Sequence, residues 1–376
     1  MRGRADIYIG FFEAGLRILR DDGALAFLCS DRWMRNSYGT GLRNLVAEQY
    51  SLDLALEVHD VDVFESRVAV YPSIAIITKR NKGVTLLGKA TASFDEQDAR
   101  RFSALFRGGV STQTDTSFQH LWLRNGELLR GESWPALGTL TPSALISLAD
   151  RFPTLEDSGI TIGSGVATGS DDVFFTSDPN LVEPERLSKI VGPADLNGQV
   201  RWKGQYLVNP WDGDELVDLE KYPRLKGYFD SNKELLENRY VAKNHPDQWW
   251  RTIDRPHWDR YLEPKLLLPD LKQRVTPTLD LEGFVPKHTL YFMRSAVWDL
   301  EVLGAILMSD LVNAQVEAYS VKFASGRMRV SGQYLRKVRL PERNSISTTS
   351  AEALRRAFLT RDYAAINQLV VELYST

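Results

Sequence analysis

The sequence predicts an α/β sheet domain followed by an α+β domain. Three observations carry this. Helical and strand-like stretches alternate over residues 1–90, the pattern of a parallel sheet with covering helices. The run "ALAFLC" (Ala24 to Cys29) is apolar at every position, as expected of a strand buried on both faces. From about Trp134 the texture changes to short strand-like pieces rich in aromatics and turn residues, with helical pieces between them.

Taken in order, "RADIYIGFFEAGLRILR" (residues 4–20) places Tyr8, Phe12, Gly15 and Leu19 on one helical face, with Arg17 and Arg20 near the end where they complement the helix dipole. Asp21, Asp22 and Gly23 break that helix before "ALAFLC". "TGLRNLVAEQY" (Thr40 to Tyr50) reads as a second helix with Leu42, Leu45 and Val46 inward. "LDLALEV" (Leu52 to Val58) alternates as a strand, "SIAIITK" (Ser73 to Lys79) is another, and "VTLLG" (Val84 to Gly88) follows. So few strands cannot cover a buried strand on both sides, so the chain is expected to begin inside a domain. Residues 91–135 read as a polar connector, 136–345 as the second domain and 346–376 as a C-terminal helix.

The 376 residues fit two domains. Apolar content of 43 % and charged content of 25 % are ordinary for globular protein. No apolar run is long enough to span a bilayer, so no membrane partner is expected. The N-terminus lacks the apolar stretch of a signal peptide. One cysteine, Cys29, excludes a disulfide framework and a cysteine-based zinc site. A cytoplasmic location is the expectation. The net charge of −3 does not announce a polyanion binder, but charge is unevenly placed. Lys322, Arg327, Arg329, Arg336, Lys337, Arg339 and Arg343 stand against a single acid, Glu342. On charge alone a solvated basic face is the commoner outcome, and a phosphate-contacting stripe is the functional one. "QWWRTIDRPHWDRYLEPKLLLPDLKQRVTP" (Gln248 to Pro277) interleaves three tryptophans with Arg251, Arg255, Arg260, Lys265, Lys272 and Arg274. That spacing suits nucleic acid and a tryptophan core with a basic rim equally.

Two stretches imitate nucleotide or methyl-transfer elements. "GSGVATG" (Gly163 to Gly169) has its last glycine one place late for a dinucleotide loop and is followed by "SDDVFF" in place of a helix. A glycine-rich turn that lets backbone approach a ligand or another chain explains it better. "NPW" (Asn209 to Trp211) lacks the second proline of an N-P-P-[YFW] element. The five histidines show no ligand spacing, and no metal is expected.

"GRADIYIGFFEAGLRILRDDGALAFLCSDRWMRNSYGTGLRNLV" followed by "DVFESRVAVYPSIAIITK" resembles the second half of the Rossmann-like methyltransferase domain of adenine-N6 DNA methyltransferases of type II and type IIG restriction–modification systems. Residues 130–345 resemble their target-recognition domain, through "ITIGSGVATGSDDVFF", "WWRTIDRP", "PKLLLPDL", "HTLYFM" and "GQYLRKVRLP". The resemblance implies double-stranded DNA as partner and S-adenosylmethionine as methyl donor. It also implies that the donor loop and the N-P-P-Y element lie upstream of these residues, in a separate N-terminal half or subunit, so that this chain alone is inactive. These enzymes flip the target adenine from the duplex, and the resemblance places Phe64 as one stacking face for it. For DNA contact the expected residues are Arg251, Lys272, Arg274, Lys322, Arg327, Arg329, Arg336 and Lys337, anchoring phosphates, with one or two arginines reading base edges. A non-catalytic DNA-specificity subunit, or a degenerate remnant, is the alternative.

Overall fold

In the computed structural model of this protein, which describes residues 6–61, 71–79, 83–108, 115–124, 133–134, 137–320 and 328–375, the alternation near the N-terminus builds a mixed sheet. The strands are β1 (Ala24–Ser30), β2 (Ser51–Glu57), β3 (Pro72–Thr78), β4 (Val84–Ala90) and β5 (Phe118–Arg124), in the order β1-β3-β2-β4-β5. The expectation of a parallel sheet is corrected: β3 runs antiparallel to both β1 and β2, β2 and β4 are parallel, and β5 is antiparallel to β4. The link between β3 and β4 is too short for a parallel crossover, which needs a dozen residues or more. Chain contacts divide the molecule into one unit of Met1–Arg151 with Glu317–Gly326 and a second of Phe152–Val316 with Arg327–Thr376. β5 and the helices Glu96–Gly108 and Pro142–Arg151 belong to the first unit.

In the first unit the helix Tyr8–Arg17 buries Phe12 and Leu16 completely. Phe12 stacks on Phe27 of β1 at 4.7 Å and meets Trp33 at 5.1 Å. Gly15 packs on the same strand: a Cβ there would lie 2.9 Å from Leu25 Cδ1 and would make that side chain shift. Thus Leu25, Phe27 and Cys29 are covered from this side. Burial of β1 on both faces is not what the structure shows: Ala24, Ala26 and Leu28 are exposed, Leu28 by 52 %. Among the described residues β1 pairs only with β3, so its other edge has no strand partner. The expected alternation of β2 is also corrected, since every residue of it is buried. Its place between β3 and β4 explains this, and the buried Asp53 Oδ2 accepts a hydrogen bond from the Thr78 hydroxyl at 3.0 Å.

The second unit holds β6 (Ile160–Ser164), β7 (Phe175–Thr176), β8 (Leu187–Val191), β9 (Tyr206–Val208), β10 (Trp211–Asp212), β11 (Glu215–Leu216), β12 (Lys265–Pro269), β13 (Leu271–Lys272), β14 (Thr278–Asp280), β15 (Val285–Pro286), β16 (Leu290–Ser295) and β17 (Met328–Arg329). They form two four-stranded sheets, β14-β12-β16-β6 and β15-β8-β9-β7, and two small ribbons, β10-β11 and β13-β17. A core cluster containing Phe174, Leu207, Phe229, Leu267 and Phe292 is shared by the two four-stranded sheets. Inside it, Lys265 of β12 and Asp280 of β14 are register partners with no exposure, and Lys265 Nζ lies 2.6 Å from Asp280 Oδ2. The C-terminal segment read as one helix is two, Thr348–Thr360 and Tyr363–Ser375, separated at Arg361, whose φ is 57°.

Candidate functional site

The second unit gathers basic side chains from distant stretches. The β13-β17 ribbon pairs Leu271 with Arg329 and Lys272 with Met328, which brings Lys272 and Arg329 into one structure. Arg329 Nη2 lies 3.8 Å from Asp270 Oδ2, and burial raises the Asp270 carboxyl above the usual range. Arg336 donates to Glu156 Oε1 at 2.7 Å and to the Ile162 carbonyl at 3.3 Å, and Lys337 beside it is half-buried. Arg274 donates to Asp310 Oδ1 at 2.5 Å and lies over the Tyr363 ring at 5.0 Å. Arg251 lies over Trp211 at 5.5 Å and donates to Gln248 Oε1 at 3.1 Å. It lines a cleft of about 720 Å³ with Trp211, Trp250 and Arg255. Phe64, Lys322 and Arg327 lie outside the described residues. The ion pairs of Arg274, Arg329 and Arg336 are partly solvent-exposed, so each is worth only about 0–1 kcal/mol. A phosphate could displace those carboxylates at small cost.

The two imitative stretches have other uses. Gly165, inside "GSGVATG", packs so closely on neighbouring backbone that a Cβ would lie 2.1 Å from the Lys287 carbonyl oxygen. Beyond it, Ala167 N donates to Asp254 Oδ2 at 3.2 Å, and Arg239 donates to the Thr168 carbonyl at 2.9 Å. The close approach is to backbone of this same chain, where the glycines suggested approach to a ligand or another chain. Asn209 is buried, its Oδ1 accepts from Trp211 N at 2.9 Å, and its Nδ2 donates to the Trp211 carbonyl at 2.9 Å. Its side chain closes its own turn and does not present an acceptor to a ligand.

Sequence reasoning missed a buried charge cluster in the first unit. β1 and β2 both run antiparallel to β3, so their C-terminal ends share one edge of the sheet, where open α/β sheets bind ligands. There Arg35 pairs with Asp31 and with Glu57. His59 Nε2 lies 3.0 Å from Asp31 Oδ2, and its ring meets Tyr71 edge-on at 5.2 Å. Burial first and the Arg35 charge second lower the His59 pKa to about 4 despite nearby Glu57. Asp31 N donates to the Tyr71 carbonyl at 3.0 Å and Val58 N to that of Pro72 at 3.1 Å. The described flanks of the segment carrying Phe64 are therefore fastened at this cluster. The available signal was charge placed directly after an apolar strand, in "LCSDRW" and "ALEVHD".

No helix among the described residues is long and apolar enough to cross a membrane. Among the same residues no group of three or more His, Cys, Asp or Glu is arranged to hold a metal ion.

Comparison with known proteins places these features in context. The profile of the Eco57I restriction-modification methylase matches residues 1–64. The chain is 36 % identical to the type II methyltransferase M.PaeR7I of Pseudomonas aeruginosa, over 100 % of this chain and 65 % of the relative. It is 33 % identical to M.BstVI of Geobacillus stearothermophilus, over 99 % of this chain and 67 % of the relative. For M.XhoI of Xanthomonas vasicola the identity is 34 %, over 99 % and 68 %. The chain thus spans about two thirds of the length of these relatives. In fold it is similar to the type IIL restriction-modification enzyme MmeI, solved in complex with DNA, with a TM-score of 0.62 and 10 % identity over 99 % of this chain and 50 % of that one.

Proposed function

This chain belongs to the type II methyltransferase family of restriction–modification systems, and from that premise we propose that it is the DNA-reading part of a site-specific adenine-N6 methyltransferase. The observation that carries the division of labour is β1. It is apolar from Ala24 to Cys29, yet its outer edge has no strand partner among the described residues, and Ala24, Ala26 and Leu28 are exposed. An apolar strand of this kind is normally covered, and about a third of the length of each relative is not matched by this chain. A further parallel strand with its helices, from sequence outside these residues or from a separate subunit, completes the sheet in this reading.

S-adenosylmethionine is the donor that the family implies. The stretch that imitates a nucleotide loop and the one that imitates the amine-positioning element do not fit such roles: Gly165 is packed against carbonyls and the Asn209 amide is engaged by Trp211. No step of the transfer is therefore assigned to residues of this chain. What the chain supplies is duplex binding through Arg251, Lys272, Arg274, Arg329, Arg336 and Lys337, together with Lys322 and Arg327. Phe64 supplies a stacking face for the flipped adenine, on a segment whose flanks are braced by Asp31, Arg35, Glu57 and His59.

The isolated chain should bind a duplex with an affinity that falls steeply between 50 and 200 mM salt, roughly as expected for several phosphate contacts. It should give no stoichiometric heat with S-adenosylmethionine in calorimetry. A flat salt response removes the DNA assignment, and clear donor binding removes the claim that the donor site lies outside this chain.

A further inference from the structure

We propose a phosphate-contacting surface that none of the sequence motifs indicated, at the end of the β15-β8-β9-β7 sheet that carries the turn 201–205. It rests on the DNA-binding reading above.

Lys189 of β8 and Tyr206 of β9 are register partners and so share a sheet face. Trp202 stands edge-on to Tyr206 at 5.0 Å, and Lys189 Nζ lies over its ring at 4.8 Å. Lys287, directly after β15, reaches over the Phe175 ring at 4.6 Å and also donates to the Gln205 side chain. Phe175 pairs with Leu207, one residue out of phase with Tyr206, so this second cation lies on the opposite face. The two faces meet where Trp202 Nε1 donates to the Gln205 carbonyl at 2.7 Å. Lys203 stands exposed between them. One end of the sheet therefore carries an ammonium on each side and a third at its tip.

What separates these lysines from Arg274, Arg329 and Arg336 is their company. Among the described residues no carboxylate lies within ion-pair distance of Lys189, Lys203 or Lys287. The nearby Asp195 is buried, and its two oxygens accept from Gly192 N at 2.8 Å and from Lys203 N at 3.1 Å. Asp178, beyond β7, accepts from Asn180 N at 2.8 Å. An aromatic ring orients an ammonium without cancelling its charge. Two ring-oriented cations, Lys189 and Lys287, and the exposed Lys203 about a strand end fit the phosphodiester backbone of duplex DNA, since phosphates are met by lysine as a point charge.

The test uses the full chain and a fluorescein-labelled duplex, read by anisotropy across a salt series. The variant is Lys189→Gln, Lys203→Gln and Lys287→Gln together. A matched control removes the same charge from the segments 219–244, as Lys221→Gln, Lys226→Gln and Lys243→Gln. The first variant should make the slope of log K against log salt shallower by about 2.7, that is about 0.9 per contact. Its affinity at 0.1 M salt should fall roughly hundredfold or more by the same relation. The control should change little, and both should unfold near the wild-type midpoint. If the triple variant fails that folding check, Lys203→Gln alone is read for a slope change of about 0.9. A variant that keeps the wild-type slope and affinity, or a control that loses as much, overturns this surface alone. Equal competition by single-stranded RNA, at equal phosphate, overturns the choice of duplex. Absence of any duplex binding by the wild type overturns the DNA reading and this surface together.

Discussion

Charged residues in this protein differ in what their neighbours do to them, and that decides which respond to pH and to mutation. His59 is a base whose pKa is lowered to about 4 by burial. In the unfolded chain it takes up a proton near pH 6.5, so the unfolded state gains more from acid than the folded one. Its contribution is constant above about pH 6.5, and stability falls by about 3 kcal/mol as pH drops from 6.5 to about 4, then levels. Urea unfolding across this range should show His59→Gln losing that slope relative to wild type; parallel curves would place the histidine in water. Phe64→Ala should leave duplex affinity nearly unchanged while altering the fluorescence of 2-aminopurine at the target position. No alteration would remove Phe64 from the base pocket. At this scale, the basic character of Arg274 and Arg336 is legible in the sequence. Their partners Asp310 and Glu156 stand 36 and 180 positions away, and no local pattern links them.

Strands and helices with their own periodicity were legible. The helix Thr40–Gln49 and the strands β1, β3 and β4 stand within a residue or two of the sequence boundaries, because apolar spacing is a local signal. Strand order was not legible, since pairing joins residues by tertiary contact. The insertion of antiparallel β3 between β1 and β2 has no mark in either strand's composition. The helix Tyr8–Arg17 shows the same limit: the spacing Tyr8, Phe12, Gly15 and Leu19 points Phe12 inward but leaves out the fully buried Leu16. Elements also hide charge. Lys265 is fully buried between strands, and burial lowers its pKa against the pull of Asp280. Asp280 also accepts from the backbone N–H groups of Glu282, Gly283 and Phe284. Lys265→Met would strand that carboxylate in the core and should cost about 3–5 kcal/mol. Chemical denaturation checks this, and a loss under about 1 kcal/mol would mean that water reaches the pair.

The whole molecule is a member of its family with one apolar strand side turned outward. Exposed edges of this kind invite pairing with another chain. The isolated protein should therefore associate with rising concentration in sedimentation, and Leu28→Lys should reduce this without lowering the unfolding midpoint. Association that Leu28→Lys leaves intact would locate the sticky surface elsewhere. The ribbon joining β13 to β17 holds only two register pairs. Neighbours along a strand point to opposite faces, so a one-residue shift exchanges Lys272 for Leu271, or Arg329 for Met328, on a given side. A single codon gained or lost beside the ribbon would trade a charged contact for an apolar one while both four-stranded sheets keep their register. Recognition in such a chain is open to revision by changes of length as well as by substitution.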